Sequence, residues 1–64
     1  MNTYKVTFVF DHTTISTNIM ARNEEAAPDI GADMVYEDLG YSNLSSILNS
    51  AQDIVVELLE ENVL

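Results

Sequence analysis

Four carboxylates stand at a strict four-residue spacing, Glu25, Asp29, Asp33 and Glu37. In a helix, residues four apart are neighbours on one face, roughly 6 Å from each other, so these acids would form a single stripe. Such a stripe could hold a metal ion or face a basic partner. The acids do not follow the alternating oxygen-ligand spacing of a calcium loop, and one histidine without cysteine cannot assemble a usual zinc site. That histidine, His12, follows Asp11 and precedes Thr13 and Thr14. A catalytic pair there would need a nucleophile, an orienting acid and a pocket, and a short loop on so small a domain offers no enclosed cleft. His12 is therefore read as a turn residue. With no glycine-rich phosphate loop either, the chain is expected to be non-enzymatic, with no cofactor and no metal.

The charge balance points to a basic partner. Eleven acids face two bases, Lys5 and Arg22, for a net charge of −9. Phosphate backbones and anionic lipid head groups are recognised through clustered Lys and Arg, so direct binding to nucleic acid or to membrane is not expected. Basic surfaces would be attracted, and encounter with them accelerated at low salt. Like charges four apart cost a helix about 0.2–0.5 kcal/mol per pair, and Asp33, Glu37 and Asp38 fall where the helix dipole disfavours anions. A chain needing only solubility would interleave lysine. Tyr36 lies about 20° from Asp29 around a helix, so it emerges among the acids, and tyrosine is a frequent anchor of interfaces. The expected partner-binding set is Glu25, Asp29, Asp33, Tyr36 and Glu37. Two other readings stand beside it. The acids could merely solubilise a small structural or assembly protein, or imitate a DNA backbone in an inhibitor that mimics nucleic acid.

Alternation supplies the elements that position these residues. Between Thr3 and Phe10, Tyr4, Val6, Phe8 and Phe10 face one way, and between Ile15 and Ala21 the residues Ile15, Thr17, Ile19 and Ala21 do the same. A loop of 11–14 would set Phe10 against Ile15, Phe8 against Thr17, Val6 against Ile19 and Tyr4 against Ala21. A two-residue turn at Asp11-His12 normally requires positive φ at both positions, which favours Asn-Gly or Asp-Gly, so the longer loop is expected. Asn23 suits a helix N-cap and begins a helix over about 24–39, with Pro28 making it either start late or bend. Ala27, Ile30, Met34 and Val35 share the face opposite most of the acids, with Gly31 allowing close approach to the sheet. Gly40 can turn left-handed at the C-terminus, with Tyr41 folding back. A short helix near 43–50, capped by Ser42, and a third strand near 53–59 complete the pattern, although the spacing of Leu44, Ile47, Leu48, Ala51, Ile54, Val55 and Leu58 also fits a helix.

Sixty-four residues make one domain, and a chain of this size buries only about 60% of its unfolded surface, so homodimerisation is expected to support it. The outward hairpin face of Thr3, Lys5, Thr7, Val9, Thr14, Ser16, Asn18 and Met20 is nearly uncharged and could serve that association, as could an unprotected strand edge. Nothing at the start resembles a signal peptide and no apolar run approaches a membrane span, so a cytoplasmic location is expected.

Tyr4-Lys5-Val6-Thr7-Phe8, a second short strand, and Ala21-Arg22-Asn23-Glu24-Glu25-Ala26-Ala27 leading into an acidic helix resemble short accessory proteins of bacteriophages and other mobile elements. The resemblance covers about the first forty residues and carries no catalytic residue. It implies a small protein made in an infected bacterium that acts by binding a host protein. The expected fold is a single α+β domain, 1–64, of order ββααβ, with a three-stranded antiparallel sheet covered on one face by one main helix. Its expected core is Tyr4, Val6, Phe8, Phe10, Ile15, Ile19, Ala27, Ile30, Met34, Val35, Ile54, Val56 and Leu58.

Overall fold

The computed structural model describes residues 1–61. Strands β1 (Asn2–Val9) and β2 (Thr14–Ala21), helices α1 (Ala27–Val35) and α2 (Leu44–Ser50), and strand β3 (Asp53–Glu60) follow in that order. The strands form one antiparallel sheet in the order β2-β1-β3. Because β1 is antiparallel to both neighbours, β2 and β3 run parallel on either side of it. The chain between them must therefore cross β1, and that crossing carries both helices. Among the described residues, no helix is long and apolar enough to cross a membrane.

The hairpin register differs from the expected one by two residues. Phe8 faces Ile15, Val6 faces Thr17 and Tyr4 faces Ile19, and the Phe10 amide donates to the Thr13 carbonyl at 2.8 Å. Asp11 and His12 thus make the two-residue connection, yet no non-glycine residue among those described has positive φ. The longer loop was expected because a two-residue turn normally takes positive φ at both positions, and here the turn forms without it. The inward set survives, since a shift of two keeps every side chain on its face.

Helix α1 starts late. Asn23 caps a preceding turn, its Oδ1 accepting from the Ala26 amide at 3.0 Å, and the Ala27 amide bonds to Glu24 across three residues. Pro28 then falls in the first turn of α1, where its missing N–H needs no partner. The turn that follows α1, 36–41, closes as a Schellman motif. Tyr41 N–H bonds to the Tyr36 carbonyl at 3.0 Å, Gly40 N–H bonds to Glu37 at 3.1 Å, and Gly40 sits at φ 82°. For α2 the cap is Asn43, not Ser42, with Oδ1 accepting from the Ser46 amide at 3.0 Å.

Tyr4, Val6, Phe8, Ile19, Ala21, Ala27, Ala32, Val35 and Ile47 are buried together, with Phe10, Ile15, Ile54 and Val56 partly buried against them. Three expected core residues are exposed instead: Ile30, Met34 and Leu58. The cause is Gly31. A Cβ built there would lie 3.0 Å from Val6 Cβ, so α1 rests on β1 through its small residues, and the larger Ile30 and Met34 are turned to the flank. Leu58 faces the helix side from β3, but α1 contacts mainly β2 and leaves it uncovered.

Candidate functional site

The line of Ala27, Gly31 and Val35 is buried against the sheet. At 100° per residue, Asp29 and Asp33 lie on the opposite side of α1, and both are exposed. Glu37 continues their row into the Schellman turn and is exposed too. Glu25 does not belong to the helix. It sits in the capped turn before α1, so the four acids are not one helical stripe, and the four-residue row within regular helix is Asp29 to Asp33.

Tyr36 occupies the C-cap of α1 and is more anchored than the sequence implied. Its ring is half-buried and packs against the core, while its hydroxyl emerges among the acids. That hydroxyl donates to Glu37 Oε1 at 3.3 Å. The negative charge of Glu37, this hydrogen bond, lost hydration and the charge of Asp33, in that order, hold the phenol above its ordinary pKa. The fields of Asp33 and Glu37 therefore converge on the exposed tip of a ring whose base is fixed. Alternation and wheel geometry could place Tyr36 among acids. They could not show that the Schellman turn, by accepting the Tyr41 amide at the Tyr36 carbonyl, fixes its backbone at the same time.

A second feature escaped the sequence reading. The hairpin loop, the α1–α2 connection and the link from α2 to β3 border an open depression of about 520 Å³, lined by Phe10, His12, Leu39, Tyr41 and Gln52 among others. Phe10 and Tyr41 stack with ring centroids 6.3 Å apart, and the Gln52 side-chain amide donates to Asp11. His12 is exposed at the rim. An aromatic residue at each end of the loop pair was the available signal, since Tyr41 follows the left-handed Gly40 and can only return toward the sheet.

Among the described residues, no three histidine or acidic side chains converge closely enough to hold a metal ion. Comparison with protein-family models, with curated proteins and with solved structures finds no match for this chain.

Proposed function

We propose that the chain is a non-enzymatic, cytoplasmic binding module whose α1 surface, Asp29, Asp33, Tyr36 and Glu37 with Glu25 at its border, docks on a basic surface of another protein. The observation that carries this reading is Tyr36, a core-anchored ring whose hydroxyl lies in the combined field of Glu37 and Asp33. An aromatic anchor with an acidic rim supplies packing area and charge selection at one spot, and little side-chain entropy is lost when the ring is already half-immobilised. Such a module fits the small accessory proteins of phages that act by occupying host proteins. A nucleic-acid mimic is the special case in which the basic surface normally holds DNA or RNA. Self-association of the chain stands beside this reading and does not depend on it, because so small a core gains from a second copy.

The alternative is a structural or assembly component. It draws support from the exposed apolar side chains Met20, Met34, Leu58 and Leu59, which a solubilised assembly protein would use. Affinity capture from cells distinguishes the two when the native chain is run beside Asp33→Lys/Glu37→Lys. Basic proteins recovered by the native chain and lost from the variant support the docking face. Equal recovery by both assigns the function to another surface.

A further inference from the structure

The two edges of the sheet are built differently. Strand β3 carries Asp53, Glu57 and Glu60 and is interrupted by a bulge where the pairing passes from Tyr4–Leu58 to Thr3–Glu60. Charges and bulges are the usual devices that stop an edge from adding strands. Strand β2, at the other edge, has none of them: its eight residues include no charge, no proline and no glycine. The hydrogen bond from Phe10 N–H to Thr13 fixes which of its backbone groups are free. Bonded and non-bonded pairs alternate along an antiparallel ladder. With Phe8 opposite Ile15 and Val6 opposite Thr17, the odd residues of β2 bond to β1. Thr14, Ser16, Asn18 and Met20 aim their N–H and C=O groups away from the sheet.

We propose that β2 pairs with β2 of a second copy, antiparallel about a two-fold axis at Thr17, so that two sheets become one. Charge selects this occupant. In a chain of net charge −9, a second copy is repelled wherever acids face acids, and β2, whose eight residues carry no charge, is an edge where none do. A basic partner would gain nothing from a strip without acids. The two-fold centred on Thr17 sets Ser16 against Asn18, Ile15 against Ile19 and Thr14 against Met20, each pair sharing one face of the sheet. Every outward backbone group then finds a partner, in about eight hydrogen bonds, two for each bonded pair. Centring on Asn18 instead would leave Thr14 beyond the last strand residue of the other copy. An apolar groove of about 250 Å³ lined by Ile19, Met20, Ile30 and Met34 adjoins the same edge, and Met20 and Met34 are 54% and 61% exposed. A second copy arriving at β2 brings its Ile15 to this groove. The pairing uses no residue of the acidic α1 surface and stands or falls separately from it.

Sedimentation of the full chain across concentration, at low and high salt, is the first test. The dimer should form with concentration and tighten as salt screens the repulsion between copies, the opposite of the response expected when the acidic face binds a basic partner. Amides of Ser16 and Asn18 should exchange more slowly at high protein concentration. The register is read by cross-linking, since the chain has no native cysteine. Thr17 meets its own copy as a non-bonded pair with Cα atoms about 4.5 Å apart, which a disulfide spans, so Thr17→Cys should cross-link on oxidation and Asn18→Cys should not. Asn18→Pro removes only an outward donor and should leave a folded monomer. Should that variant fail to fold, Ser16→Asp/Asn18→Asp places carboxylates opposite each other and should weaken the dimer about tenfold. A chain that stays monomeric at several hundred micromolar with freely exchanging Ser16 and Asn18 amides overturns the proposal. So does cross-linking by Asn18→Cys without Thr17→Cys, or edge protection that arises only when a different protein is added.

Discussion

Replacing Gly31 with alanine tests how α1 is seated. The new Cβ would meet Val6 Cβ at 3.0 Å, Cγ1 at 3.1 Å and Cγ2 at 3.3 Å, against about 3.5–4.0 Å for relaxed carbon contacts. Val6 is fully buried, and rotating its side chain cannot move the Cβ, so the helix must lift by a few tenths of an ångström. Overpacking of this kind costs about 1–3 kcal/mol. Alanine returns about 1 kcal/mol through its better helix propensity. The net expectation is a loss on the order of 1 kcal/mol, which for a domain of this size lowers the melting temperature by about 4–8 °C. Thermal and chemical denaturation measure it directly. Pairing Gly31→Ala with Val6→Ala trims two of the three close contacts, so the double variant should recover at least about 0.5 kcal/mol relative to additivity. A Gly31→Ala chain more stable than the native one would mean that propensity is all that matters there and that α1 does not rest on Val6.

Three further outcomes follow from the same structure. Glu37→Gln should lower the Tyr36 phenol pKa, followed by ring-carbon chemical shifts across pH, and an unchanged value would contradict the placement of the hydroxyl. Because that pKa is raised in the folded state, the stability linked to it is complete below the unfolded value of about 10 and is lost as pH climbs through the folded one. Gly40→Ala forces a side chain into the left-handed region with open space around it, so the cost is conformational, about 1 kcal/mol in urea titration, and Gly40→Asn should cost less. Asp33→Lys/Glu37→Lys should stabilise the isolated chain by about 0.5–1.5 kcal/mol, since it gives Asp29 an attractive neighbour and puts cations where the dipole favours them; a loss of stability would show that these acids serve the fold.

The strands were legible because alternation is a strong signal, and the third strand because β-branched Ile54-Val55-Val56 overrode a competing helical spacing. Register was not, since it depended on the backbone of Asp11 and His12, where residue type gives only a preference. The buried line of α1 was misread for a related reason. A wheel ranks residues by hydrophobicity and so turned Ile30 and Met34 inward, whereas the short distance between α1 and β1 selects for size and admits Ala27, Gly31 and Ala32. Gly31 marks a point of close approach in the sequence, but its consequence for its neighbours depends on the helix–sheet distance. Ile47 is fully buried although only a helical spacing marked it, because its burial depends on α2 docking on α1. At the candidate site, the acids and Tyr36 could be named from spacing. That Glu25 leaves the row follows from Pro28, which moves the helix start past it, and the half-burial of Tyr36 follows from the turn that Gly40 makes possible.

The proposed recognition of a basic protein through Asp33, Tyr36 and Glu37 makes charge and packing separable contributions to one affinity. Its most direct test is the affinity of a captured basic partner for the native chain, for Asp33→Lys/Glu37→Lys and for Tyr36→Ala, measured from low to high salt. Native affinity should fall steeply as salt rises, vanish almost completely in the charge-reversed chain, and show a separate, salt-insensitive reduction for Tyr36→Ala. Unchanged affinity in the charge-reversed chain at every salt concentration would contradict it.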